Sequence, residues 1–303
     1  MINFVPGIVP GIGMAMNCFT QKGDKVMIQP PVYHPFAWVT TRNERTLVIN
    51  PLRWENGMYR MDLDTFREQI KGCKLFILCN PHNPGGVVWT EAELRAIADI
   101  CYDEKVLVFS DEIHADLTLP PHTHRPFATV SEKARMNSVT FMSPSKAFNM
   151  PGLSASHALI FNEDLRKRFR IYMDAGELDM GHVFAFLSVE AAYSHGTEWL
   201  DQCLAYIQGN IDFVDDFLKN HAPKIKAIRP GASYLVWLDC RELKLSQKDL
   251  NEFFVDKAHL ALNDGEMFGK EGIGFMRLNV ASPRCIIEKA MKQLADAYQL
   301  YIK

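Results

Sequence analysis

A lysine on a short Ser-Pro-Ser turn is the first residue of this chain that asks for a chemical account. Lys146, in SPSKAFNMPGLSAS (143–156), follows the apolar run SVTF (138–141). Burying an ammonium without a partner is costly. Lys146 is therefore either solvated on a surface loop or held in a site where its amine is neutral and nucleophilic. Two more apolar runs end on polar residues. KLFILC (74–79) leads into NPHNPGG (80–86) with Asn83, and VLVF (106–109) leads into SDEIHADL (110–117) with Asp111 and His114. Taken singly each has an ordinary explanation: Asp111 caps a turn, Asn80-Pro81 marks a turn, Lys146 is solvated. Taken together they are three polar strand ends, and open α/β sheets bind ligands beyond the carboxyl ends of their strands.

The elements that must position these residues alternate. KVMIQPP (25–31), RTLVINPL (45–52), KLFILCN (74–80), VLVFSDE (106–112), SVTFMS (138–143) and SHALIF (156–161) read as strands. Helices fall at 62–71, with Asp62 or Asp64 near the cap, and at 90–105, capped by Thr90. No strand is evident before the glycines at 7, 11 and 13. Continuous apolar strands separated by helices predict an α/β fold, a mostly parallel sheet covered on both faces. After about residue 162 the pattern turns helical, and 197–221 is long enough to bridge two domains. Strands at 224–230, 233–240, about 260–265 and 274–281, with helices at 246–258 and near 284–300, predict a smaller α+β unit. The expected division is a large domain over 1–200 and a small C-terminal domain over 201–303 that includes the bridging helix.

Composition narrows the class. The chain has 303 residues, 48% hydrophobic and 23% charged, with formal net charge −3, an ordinary globular make-up. No basic block points to nucleic acid or an anionic membrane. Seven scattered cysteines without a CxxC pair predict free thiols in a reducing compartment. No run approaches membrane-spanning length and the start lacks a signal-peptide layout, so the expected location is the cytoplasm. His122 and His124, in PPHTHRPF, have no third ligand at metal-binding spacing and read as a Pro-rich loop. His34, His182 and His195 have no recognisable triad partner.

Six collinear stretches carry a resemblance: GDKVMIQPPVYHPF, LCNPHNPGG, SDEIHADL, SPSKAFNMPGL, AAYSHGTEWLD, and ALNDGEMFG with GFMRLNVASPR. They resemble the fold-type-I pyridoxal-phosphate enzymes of the aminotransferase class I/II superfamily. Within it they are most similar to cystathionine β-lyases and cysteine C–S lyases of the MalY/PatB type. The resemblance spans the chain from Phe4 to the last helix. It implies pyridoxal 5'-phosphate as cofactor, with Lys146 bonded to its aldehyde and Asp111 paired with its pyridine nitrogen. Asn83 would donate to the ring phenolate oxygen. His114 would contact the same side or simply pack against the following helix. Tyr33 would stack on the ring or belong to the core. The phosphate would take backbone donors from Gly7, Ile8 and Val9 ahead of Pro10, a favoured first helical residue. Ser143 and Ser145 would add hydroxyls. Arg277 would hold the substrate carboxylate in a bidentate pair, its ordinary alternative being a surface ion pair.

The expected reaction is β-elimination from cystathionine or a related cysteine conjugate, giving pyruvate, ammonia and a thiol. An aminotransferase shares all these residues, and a truncated cofactor-binding protein without turnover is the reading from another class. Ser154 stands eight residues after Lys146, where many aminotransferases carry arginine, which favours the lyase. The resemblance also implies an N-terminal segment, about a quarter of the family's length, that these 303 residues do not contain. The chain is therefore expected to be a fragment or a truncated product, with its activity and its expected homodimer, active site at the interface, affected accordingly.

Overall fold

The computed structural model describes residues 1–302. Its larger sheet holds seven strands: β1 (Ile2–Val5), β2 (Lys25–Ile28), β3 (Thr46–Ile49), and, after a hairpin of β4 (Arg53–Glu55) and β5 (Met58–Arg60), β6 (Cys73–Cys79), β7 (Leu107–Asp111), β8 (Ser138–Met142) and β9 (Ser156–Leu159). Their order is β1-β9-β8-β7-β6-β2-β3. The five strands from β8 to β3 are parallel, while β9 runs antiparallel to β8 and β1 antiparallel to β9. β6, β7 and β8 are buried almost throughout, as the unbroken apolar runs predict.

Helices cover both faces: α1 (Ile8–Phe19), α2 (Pro35–Arg42), α3 (Leu63–Gln69), α4 (Glu91–Asp103), α5 (Glu132–Met136) and α6 (Glu163–Asp174). Their ends follow local chemistry. Asp62 caps α3 by accepting from Thr65 N, and Thr90 with Glu93 closes a reciprocal capping box on α4. α7 (Val183–His195) leads into the 25-residue α8 (Thr197–His221). α8 packs on α10 (Arg284–Tyr301) and β10 (Lys226–Ile228) beside a four-stranded sheet, β10-β11-β13-β12. That sheet is completed by β11 (Leu235–Asp239), β12 (Asn263–Asp264) and β13 (Phe275–Asn279), with α9 (Gln247–Glu252) on its flank. The smaller sheet has its own buried cluster, in which Val236, Leu238, Met276 and Leu278 meet Val214, Leu218 and Leu294 of the helices, and it also shares one with the larger sheet. Trp237, Phe268 and Phe275 pack into the same buried cluster as Tyr59, Trp89 and Phe127.

Three features depart from the sequence reading. A strand does precede the glycines: β1 is four residues long and is ordered by pairing with β9, Ile2 opposite Leu159. The β4–β5 hairpin turns on Asn56-Gly57, both at positive φ. The helix expected over 246–258 leaves α geometry at Phe253 and finishes as a π turn through Lys257. Among the described residues no helix is long and apolar enough to cross a membrane.

Candidate active site

The three polar strand ends meet as expected. β6, β7 and β8 are adjacent and parallel, so Asn83, Asp111 and Lys146 emerge at one edge of the sheet. There they line a cavity of about 400 Å³ together with Gly7, Ile8, Val9, Tyr33, His114, Ser145 and Arg277. Lys146 is its only amine. Lys146 rides a turn braced on both sides: Phe148 N donates to Pro144 O (2.9 Å) and Met150 N to Ser145 O (2.9 Å).

Asp111 is buried, and its carboxylate accepts a single hydrogen bond, from Ile113 N at 3.1 Å. No cation reaches it within ion-pairing distance among the described residues. Burial therefore pushes its carboxyl up to about 7, with the neighbouring Glu112 adding to the rise and Lys146 opposing it. His114 is buried with Nδ1 unpartnered, edge-on to Tyr234 at 6.2 Å. Burial first, then Lys146 and Arg277, hold it down to about 3, so it is a neutral imidazole at physiological pH. Tyr33 meets Phe36 edge-on at 5.8 Å, and burial followed by Asp111 raises its phenol above the ordinary value.

Arg277 projects from β13 across the cavity. Nη1 donates to Asn83 Oδ1 (2.9 Å), Nη2 to Asn263 Oδ1 (2.8 Å), and the guanidinium lies 4.6 Å from the Phe268 ring centroid. It has amide partners and no carboxylate, with burial lowering its pKa. This is not the surface ion pair that a stray arginine would make. Asn83, by accepting through Oδ1, leaves its amide protons for another acceptor.

Gly7 caps α1 with φ 153° and ψ 160°, a region open to glycine and essentially closed to other residues. The first helical amides, Ile8 and Val9, have no intrahelical acceptor, while Pro10 carries no N–H. Gly11 N already donates to Gly7 O. α1 therefore presents two free donors and the positive end of its dipole to the cavity. Gly11 also lets the helix lie close on the sheet, since a Cβ there would sit 2.9 Å from Val5 Cγ2.

Ser143 does not line the cavity. Its hydroxyl is buried and donates to Ala155 O (2.7 Å), and it accepts from Ser145 N (3.1 Å). It braces the lysine turn from behind, so of these two serines Ser145 is the one on the cavity wall. Ser154 also lines the wall, in left-handed conformation at φ 48°.

Sequence reading missed Asn263, which reaches Arg277 because β12 places it directly opposite on β13. It also missed Glu112. This carboxylate is buried immediately after β7 and accepts from Ser110 Oγ (2.8 Å), His124 Nε2 (2.7 Å) and Phe127 N (2.8 Å). His124 is thus the clamp of the Pro-rich loop. Among the described residues no group of three or more potential metal ligands exists. Glu112→Ala is expected to cost about 3 kcal/mol of stability, because it strips a buried network of its acceptor. Urea denaturation would measure it; a loss below 0.5 kcal/mol would show the network to be dispensable, by the ordinary range for surface changes.

A cavity of this make-up fits an anionic ring cofactor with an aldehyde for Lys146, a basic ring nitrogen for Asp111 and a phosphate for α1. The model of the aminotransferase class I and II family matches residues 2–294, and the chain belongs to that family. It is 39% identical over 298 residues to the cystathionine beta-lyase PatB of Bacillus subtilis (strain 168), covering 98% of this chain and 77% of that protein. It is 30% identical to the protein MalY of Escherichia coli (strain K12), covering 96% and 75%. Cystalysin from Treponema denticola, whose crystal structure contains pyridoxal 5'-phosphate, superposes with a TM-score of 0.96 at 35% identity, covering 98% and 76%.

Proposed function

We propose that this chain is a pyridoxal-phosphate-dependent C–S lyase. It would convert a cysteine S-conjugate such as cystathionine, with one water, to pyruvate, ammonia and a thiol. The observation that carries the reading is a pair of uncompensated charges in one cavity. The Asp111 carboxylate has no cation and the Arg277 guanidinium no carboxylate, and the single amine of Lys146 lines the same cavity. A protonated ring nitrogen complements the first and a substrate α-carboxylate the second. The similarity to PatB, a cystathionine beta-lyase, and Ser154 in place of arginine favour elimination over amino transfer.

When bound, the cofactor supplies the electron sink that makes a Cα carbanion accessible. The remaining work falls to the chain. Arg277, held by Asn83 and Asn263, fixes the substrate carboxylate and so the direction of the Cα–H bond. Lys146 Nζ takes the Cα proton as general base. The C–S bond breaks at Cβ with its electron pair leaving on sulfur, the Lys146 ammonium returns a proton to give the thiol, and the released enamine hydrolyses with one water to pyruvate and ammonia. Neutral His114 adds no positive charge beside Lys146.

The test is pyruvate release from L-cystathionine in the absence of any 2-oxo acid. Turnover only after a 2-oxo acid is added would make the protein an aminotransferase. No turnover with the cofactor bound would make it a binding protein. Arg277→Lys keeps the charge and loses the paired donors, so KM is expected to rise at least about tenfold with a smaller change in kcat. Steady-state kinetics would show this, and an unchanged KM would remove Arg277 from carboxylate binding.

The reading extends to a cytoplasmic homodimer. All seven cysteines are free thiols. Val183, Phe184, Phe186 and Leu187 of α7 are each at least half exposed, an apolar face suited to a second copy.

A further inference from the structure

A second chamber of about 320 Å³ adjoins the cofactor cavity; Lys146, Tyr234 and Asn279 line both. Its far wall is α8. Trp199, Cys203, Tyr206 and Ile207 stand at i, i+4, i+7 and i+8, so one helical face supplies the surface. Trp199 and Tyr206 are each about half exposed, and ring contacts orient the wall. Trp199 stacks on Phe148 at 6.1 Å and 25°, and Phe148 in turn meets Tyr193 edge-on. The Tyr206 hydroxyl accepts from Arg284 N at 2.6 Å, which holds the ring along the wall. Apart from Lys146, no charged side chain lines this space. The first cavity, by contrast, carries Asp111, Arg277 and the positive end of α1.

Accepting the lyase reading, this division sorts the substrate. The α-carboxylate belongs with Arg277, and Cα lies within reach of Lys146. Sulfur is two bonds from Cα, so the group it carries must leave the neighbourhood of Lys146 in some direction. Only the second chamber adjoins Lys146 without carrying the charges that serve cofactor and carboxylate. We infer that this chamber receives the substituent on sulfur and selects an uncharged apolar or aromatic one. A homocysteine leaving group brings an ammonium and a carboxylate, and the aromatic wall offers neither a counter-charge. Aralkyl and alkyl cysteine conjugates are therefore better substrates than cystathionine.

The experiment uses cofactor-loaded protein and two substrates, S-benzyl-L-cysteine and L-cystathionine, with pyruvate as the readout. Wild type is expected to show at least a tenfold higher kcat/KM for the benzyl conjugate. Trp199→Ala should lower that ratio at least fivefold, and Trp199→Phe should restore most of it. Independently of turnover, benzyl methyl sulfide, which has the substituent and no amine, should bind at least fivefold more weakly to Trp199→Ala by calorimetry. Pyruvate formed with a ratio near one, or with a ratio that Trp199→Ala leaves unmoved, overturns the inference. So does a change of oligomeric state in Trp199→Ala with the ratio intact, which assigns the wall to another chain. Pyruvate from neither substrate overturns the lyase reading itself, whatever the calorimetry shows.

Discussion

Lys146→Ala is expected to reduce pyruvate formation from cysteine conjugates by about ten-thousandfold, at the upper end for loss of a general base. It should also abolish the visible absorbance of cofactor bonded to the protein. Both effects trace to one atom, since Nζ of Lys146 is the only amine lining the cavity. No second lysine lines the cavity, and the Arg277 guanidinium stays protonated and cannot serve as the base. The fold should survive the change. Lys146 makes no ion pair among the described residues, and its turn is held by backbone bonds and by Ser143, none of which involve its side chain. A small primary amine such as methylamine fits the space left by the truncated side chain and should recover a measurable part of the rate. Recovery would separate loss of the proton carrier from loss of structure. Full activity in the variant would move the base elsewhere in the cavity.

The parts of this site that a reader of the sequence could find are those governed by local rules. Asn83, Asp111 and Lys146 follow apolar strands directly, so strand direction alone brings them to one edge. Thr90 and Glu93 announce a capping box at the spacing that defines it. Asn56-Gly57 between RWE and MYR was an equally local hairpin signal, overlooked because each strand is only three residues long. Other features are non-local. β1 exists because β9 turns antiparallel, and nothing in INFV specifies that partner. Asn263 is a site residue only because β12 and β13 pair in one register. Glu112 and His124 find each other across a loop whose path the prolines do not specify. The resemblance assigns Ser143 to the phosphate; its buried hydroxyl lies 2.7 Å from Ala155 O, twelve residues away, and 2.9 Å from Ser145 Oγ, contacts that no local rule announces.

Asp111→Asn should have opposite effects on activity and on the stability of the cofactor-free protein. In that protein burial raises the carboxyl from its ordinary 3.8 to about 7. The folded state thus binds more protons than the unfolded state between those values, and stability falls as pH rises through that window. Above pH 7 the ionised group costs about 4 kcal/mol, three pKa steps at the usual conversion, an upper bound for a site that water can enter. Asparagine has nothing to ionise, so the variant should be more stable than wild type at pH 8 and nearly equal to it at pH 4. Denaturant unfolding of both proteins at the two pH values would measure this. Equal stability at pH 8 would mean that Asp111 is solvated and its pKa ordinary. Activity should move the other way, falling by at least a hundredfold, because the amide offers no negative charge to keep a ring nitrogen protonated. Loading with cofactor should likewise stabilise wild type more than the variant, by mass action on the state that binds it. A buried carboxylate that destabilises its own fold is a cost that only a cationic partner offsets. Its presence at the end of β7 therefore argues for a ligand more strongly than the residue type alone could.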